Sequence, residues 1–157
     1  MSKTIAGEPD SGLDIELAVR LDQVLTKLVR WSRREVAAPM GPGMLAALAS
    51  VVDAGSIRLG ELAAKEHVTP ATLSRIVGAL EREGYLLREV DRADRRSVFV
   101  CPTAAGKALV LDLRARRGAV LLQRLRPTLK RTEVAALRGL VERLEGTVTE
   151  GSASFTR

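Results

Sequence analysis

The sequence predicts a mainly α protein with a small β-wing, and three observations carry that expectation. Only four of 157 residues are aromatic, so a core must be assembled from Leu, Val and Ala, a composition suited to packed helices. Apolar residues recur at helical spacing through most of the chain, and Gly and Pro punctuate the segments. One stretch, residues 85–101, departs from that period. There, residues 85–90 and 97–101 are rich in β-branched, aromatic and long apolar side chains and flank the polar DRADRR, the pattern of a hairpin.

Residues 1–10 are polar and read as a flexible tail. Asp10 or Ser11 is expected to cap a helix running to about residue 33. Its stripe comprises Leu13, Leu17, Leu21, Val24, Leu28 and Trp31, widened by Leu25, and its acidic start and basic end suit the helix dipole. After MGPGM, Gly41 and Pro42 open a second helix over 43–53, with Met44, Leu45, Leu48, Val51 and Val52 apolar. A turn over 53–56 follows, and Ile57 and Arg58 are placed to add a minimal third strand to the wing.

Residues 59–66, LGELAAKE, form a short alanine-rich helix, and His67 and Val68 connect it tightly to the best-marked helix of the chain. Thr69 caps that helix, Pro70 suits its first position, and Val68 is spaced to staple onto Leu73. Gly84 ends it, because glycine adopts the left-handed conformation without a Cβ penalty. Leu73, Ile76, Val77 and Leu80 share one face. The other carries Ala71, Ser74, Arg75, Gly78 and Arg82, with Thr72 and Ala79 at its border, and is small, polar and cationic. Two helices joined by so short a turn and followed by an arginine-tipped hairpin make a winged helix-turn-helix.

Beyond the hairpin, one helix extends from Thr103 to about residue 125, where Pro127 stops it. Thr132 is expected to cap a last helix, with Glu133 in its first turn and Val134, Leu137, Val141, Leu144 and Val148 along a narrow seam. These helices and the first cannot bury their stripes on a winged domain of about fifty residues. Pairing with a second chain does so. Residues 41–103 are therefore read as the winged domain, 11–40 and 104–150 as dimerisation helices, and 151–157 as a second flexible tail.

The run from Gly60 to Gly106 resembles the DNA-binding core of the MarR family of bacterial transcription regulators. The helix-turn-helix, the wing signature DRADRR and Thr103-x-x-Gly106 occur in that order, and the ordered set is far more specific than a lone helix-turn-helix. The resemblance implies a homodimer bound to an inverted repeat in double-stranded DNA. It also implies a repressor released by a small aromatic or phenolic effector, for which nothing in the chain names the ligand. The family commonly opens its second helix with Thr or Ser, whereas Gly41 stands here, a departure that bears on local stability.

On this reading residues 69–83 enter the major groove. Arg75 is the candidate for a bidentate guanine contact, Thr69, Ala71, Thr72 and Ser74 lie near the positive helix N-terminus, and Arg82 lies further along. In the wing, Arg95 is placed in the minor groove with Arg92 and Arg96 beside it, and Asp91 and Asp94 support the loop by pairing with those arginines. Leu17, Leu21, Leu137, Val141 and Leu144 are expected in the dimer seam. Arg58 and Lys65 are candidate phosphate contacts. The cluster Arg114, Arg116, Arg117, Arg124, Arg126, Lys130 and Arg131 is read as a solvated face or a partner for the acidic first helix. Trp31 is read as core or as the wall of an effector pocket.

Charge alone does not find this element. The chain carries a net +6 with a pI near 10.2, which suits a polyanionic partner. Yet residues 52–103 hold eight basic and eight acidic residues, and the whole excess follows residue 103. The single cysteine, Cys101, excludes an internal disulfide, and no Cys/His set has metal-ligand spacing, so neither cofactor nor metal is expected. No stretch approaches the roughly 18 apolar residues of a membrane span. A polar N-terminus without an apolar h-region predicts a cytoplasmic, reduced protein. One His and one Cys in unlike elements, without a phosphate loop, argue against an enzyme and give no catalytic residues. Two other readings remain: a winged helix used only for protein contacts, and a redox-responsive regulator using Cys101. The reactive cysteine of peroxide-sensing relatives sits in the N-terminal helix instead, and a packed thiol is the expectation here.

Overall fold

The computed structural model describes residue 12, residues 14–90 and residues 98–153. Six helices and three strands follow one another as α1 (Ile15–Glu35), α2 (Pro42–Ala54), β1 (Ile57–Arg58), α3 (Leu59–Lys65), α4 (Pro70–Arg82), β2 (Leu86–Val90), β3 (Val98–Pro102), α5 (Ala104–Leu125) and α6 (Arg131–Ala153). The strands form one antiparallel sheet in the order β1-β3-β2. Ile57 pairs with Val100, and Leu86 through Val90 pair with Pro102 back to Val98. The mainly α class, the wing hairpin and the small third strand all agree with the expectation from sequence.

The chain divides into two compact units, residues 1–118 and 119–157. The core of the first is built where the helical and strand periods point inward. Ala47, Leu48 and Val51 of α2, Leu62 and Ala63 of α3, Leu73, Val77 and Leu80 of α4, Leu86, Val100 and Val110 form one buried cluster. Each fully buried Leu or Val contributes roughly 1.5–3 kcal/mol relative to exposure. The face of α4 opposite Arg75 is thus held in this core through Leu73, Val77 and Leu80.

The ends of two helices differ from expectation. The cap of α1 is Asp14, whose carboxylate accepts the Leu17 N–H at 2.7 Å, so the helix starts at Ile15; Asp10 and Ser11 lie outside the described residues. A carboxylate is both a good cap and a favourable charge at a helix N-terminus. Helix α6 begins at Arg131, which places Thr132 inside it. Glu133 supplies the cap interaction instead, its Oε2 accepting the Lys130 N–H at 2.7 Å, half of a capping box. That helix also runs to Ala153, three residues past the expected boundary at 150.

Both outer helices present apolar stripes that the described residues of their own units leave about half exposed. On α1, Leu17, Leu21, Val24, Leu25 and Val29 are 39–51% exposed; on α6, Val134, Leu137, Leu140, Val141 and Leu144 are 39–44% exposed. Exposed apolar side chains in such rows suit burial against another apolar face. Among the described residues, no helix is long and apolar enough to cross a membrane.

Candidate nucleic-acid interface

The turn that presents α4 is tighter than its residues suggest. Val68 N–H bonds to the Ala63 carbonyl at 3.1 Å and His67 N–H to that of Ala64 at 3.1 Å, while His67 itself adopts φ 53. A left-handed histidine is uncommon, and the hydrogen bonds on both sides of it are what hold it there. The sequence marked His67 only as a turn residue. Glu66 adds a tie from the end of α3 to α2 by accepting the Ser50 hydroxyl at 2.5 Å.

Thr69 then caps α4: its Oγ1 accepts the Thr72 N–H at 3.2 Å and its hydroxyl donates to Thr72 Oγ1 at 2.9 Å. The two hydroxyls hold each other in place beside the free N–H groups of the first turn, where anions are favoured. Ala71 and Arg75 are exposed, while Thr72 and Ser74 are half-buried. Among the described residues no hydrogen bond or ion pair holds Arg75, in contrast to Arg82, whose Nε folds back onto the Gly78 carbonyl at 3.2 Å. Arg75 is therefore the guanidinium on this face with its donors available.

The exit from α4 is fixed by a node that makes sense of the T-x-x-G pattern. Gly84 has φ 77 and turns the chain into β2. The Thr103 hydroxyl donates to the Gly84 carbonyl at 2.7 Å and its N–H to that of Tyr85 at 3.0 Å, while its Oγ1 accepts the Gly106 N–H at 3.0 Å. Gly106 packs so closely on the Tyr85 carbonyl that a Cβ would overlap it. Thr103 and Gly106 thereby lock together the end of the second helix of the motif, the root of the wing and the start of α5. Their spacing was legible in the sequence, but the reason for it was not.

The strands of the wing are in place, and its tip is not described. Asp91, Arg92, Asp94, Arg95 and Arg96, with the pairing expected among them, lie outside the described residues. At the other edge of the sheet, Arg58 lies 5.2 Å from the Phe99 ring centroid and 4.0 Å from Glu61, an arrangement that holds it near the surface.

The arginines of α5 divide into roles the sequence did not separate. Arg114 makes a bidentate pair with Asp53 of α2, both bonds 2.8 Å, so its partner is α2 and not the acidic first helix. That hydrogen bond holds the Asp53 carboxyl below its ordinary value. Arg116 pairs within its own helix with Asp112 at 3.5 Å.

The family model described as MarR family matches residues 42–98, from α2 to the first residue of β3. An HTH-type transcriptional regulator of Mycobacterium bovis is 31% identical over 87% of this chain and 96% of its own. The chain belongs to the MarR family. A transcriptional regulator of Pseudomonas aeruginosa, 27% identical, superposes with a TM-score of 0.72 over 87% of this chain and 95% of its own. The Multiple Antibiotic Resistance Repressor, MarR, 25% identical, does so with 0.71 over 85% and 97%. This chain is accordingly a DNA-binding transcription regulator of the winged-helix type, from a family that is generally non-enzymatic.

Within this MarR-family fold one cavity of about 250 Å³ is lined by Arg33, Ala38, Met40, Pro42, Leu45, Ala46, Ala49 and Arg117. Trp31 is not part of its wall. Burial, with Arg33 adding to it, lowers the pKa of Arg117, whose Nε is enclosed without a hydrogen-bond partner among the described residues. Cys101, half-buried on β3, lies 3.3 Å from the Ser56 hydroxyl, the setting of a packed thiol. Among the described residues no group of His, Cys, Asp and Glu has the arrangement to hold a metal.

Proposed function

We propose that this MarR-family regulator binds an inverted-repeat operator as a homodimer and represses neighbouring genes until a small molecule releases it. The observation that carries the reading is the two-sided character of α4. Leu73, Val77 and Leu80 are fully buried on one side, while the other side presents Arg75, exposed and held by no hydrogen bond or ion pair among the described residues, beside small residues that allow close approach. Residues 69–83 then enter the major groove and residues 91–96 the minor groove. Arg75 reads guanine, Thr69, Ala71, Thr72, Ser74 and Arg82 line the contact, and Arg92, Arg95 and Arg96 are the wing cations supported by Asp91 and Asp94.

Residues 41–103 form the reading domain in this proposal, and the helices within 11–40 and 104–150 pair the two copies. The exposed stripes containing Leu17, Leu21, Leu137, Val141 and Leu144 support that division. Two-fold pairing sets half-sites about one helical turn, 10–10.5 bp, apart. Residence in the cytoplasm follows from the need to reach DNA. For the effector, an apolar cavity with two guanidinium groups suits a small aromatic acid or phenolate.

Arg75→Ala, compared on matched and scrambled duplexes over a range of salt, tests the reading. Loss of about 1–3 kcal/mol on the matched site alone is the expected result. Equal loss on every duplex would make Arg75 a phosphate clamp. Wild-type binding insensitive to salt would remove the DNA reading altogether, because each neutralised phosphate adds about −0.9 to the log–log slope.

A further inference from the structure

Arg88 stands on β2, three residues before the wing tip, and its side chain crosses to α4. Its Nη2 donates to the Ser74 carbonyl at 3.1 Å and its Nε lies 3.2 Å from Glu81 Oε2. Ser74 and Glu81 are seven residues apart, so they lie on one face of α4 two turns apart. Ser74 adjoins Arg75 on the reading side, and β2 leads directly into residues 91–97. One guanidinium thus spans two turns of the groove-reading helix from the strand that delivers the wing. Arginine suits this task because its planar fork holds donors at fixed, separated positions that reach two acceptors at once, whereas the donors of lysine all sit on one compact ammonium nitrogen.

We infer that Arg88 is a positioning residue that sets the angle between α4 and the wing hairpin, so that both reach their grooves as one rigid unit, with Glu81 as the anchor that holds the guanidinium in place. The inference rests on the proposed reading of DNA by α4 and the wing. The core contacts of β2 alone do not supply this constraint: of its residues only Leu86 is buried, while Leu87, Arg88, Glu89 and Val90 are exposed. Among the described residues, the two polar contacts of Arg88 tie the outer part of β2 to α4.

The rival role for an arginine at this place is a phosphate clamp, and Glu81 separates the two. A carboxylate beside a phosphate-binding arginine competes for it, so removing that charge strengthens a clamp. Removing the anchor of a positioning residue weakens binding instead. With the duplex selected by the wild-type protein as probe, Glu81→Gln is expected to bind about threefold more weakly and Arg88→Met about tenfold more weakly. In the Arg88→Met background, Arg95→Ala is expected to cost less than it does alone, because a wing already out of place has less to lose. Tighter binding by Glu81→Gln, or full additivity of Arg88→Met with Arg95→Ala, would overturn the inference.

A measurement on the free protein keeps the test independent of DNA. Amide residual dipolar couplings of α4 and of the β2–β3 hairpin should fit one alignment tensor in the wild type and in Arg88→Lys less well. In Arg88→Met they should need two tensors of different magnitude, while couplings of α2 and α4 still share one and so report an intact core. A single tensor for helix and hairpin in Arg88→Met would refute the positioning role even if the protein bound no duplex at all, whereas failure to bind DNA with the expected loss of rigidity would sink only the DNA reading.

Discussion

Replacing Gly106 by Ala probes the node on which the winged domain turns. In an open helix interior, glycine to alanine is worth up to about 1 kcal/mol of added stability. At Gly106 the new Cβ would overlap the Tyr85 carbonyl oxygen, a backbone atom with no flexible end to swing away. Either the start of α5 or the Gly84–Tyr85 backbone must move, and overpacking of this kind costs roughly 1–3 kcal/mol. The same movement stretches the Thr103 bonds to the Gly84 and Tyr85 carbonyls, at 2.7 and 3.0 Å, each worth about 1 kcal/mol. Against the helix gain, the net loss is roughly 2–4 kcal/mol, or a fall in Tm of roughly 5–15 °C for a chain of this length. Gly118→Ala, in the same helix but facing open space, is the control and should gain roughly 0.5–1 kcal/mol. Thermal and urea unfolding at matched protein concentration compare the three proteins. A Gly106→Ala protein as stable as Gly118→Ala would refute the close approach.

Other substitutions separate folding from function. Gly78→Ala meets no atom within 4 Å and should stabilise the free protein by up to about 1 kcal/mol, yet weaken binding to the selected duplex, since the methyl enters the reading face; an unchanged affinity would move that face away from the groove. Asp53→Asn removes the pair with Arg114, whose side chains are about half exposed, so roughly 0.5 kcal/mol should be lost near neutrality. The hydrogen bond from Arg114 puts the folded carboxyl below its ordinary 3.8, so the unfolded chain takes up the proton first as acid is added. The gap between wild type and Asp53→Asn should therefore hold above about pH 5 and close as pH falls below about 4; urea unfolding across that range checks it, and a gap that widens in acid would contradict it. Leu144→Asp puts a charge on the exposed α6 stripe and should yield monomers in sedimentation velocity that bind DNA poorly; a persisting dimer would place the seam elsewhere.

What the sequence disclosed and what it withheld follow from the range of the forces involved. The period of Leu73, Val77 and Leu80, the Thr69 cap and the Gly84 stop are local signals, and α4 lies where they place it. Gly41-Pro42 likewise opened α2 on a local rule. At α1 and α6 several acidic or hydroxyl residues lie within a turn of each other, and the choice of Asp14 and Glu133 as capping groups depends on geometry that a residue list does not contain. The remaining surprises are contacts across long sequence separations. Arg114 to Asp53 joins residues 61 apart, and Arg88 to Ser74 joins residues 14 apart. Thr103 to Gly84 does the same over 19 residues. Composition showed that these side chains were charged or hydroxylated, and only the packed fold decides which of many possible partners each one meets. The strain at His67 is of this kind as well, since the hydrogen bonds of Val68 and of His67 impose it.

Selection from random duplexes by the purified wild-type protein is the decisive test of two-fold, sequence-specific reading of DNA. Enrichment of an inverted repeat with half-sites about 10–10.5 bp apart is expected, with weaker enrichment by Arg95→Ala run in parallel. Failure to enrich any sequence at low salt, where electrostatic binding is strongest, would contradict it.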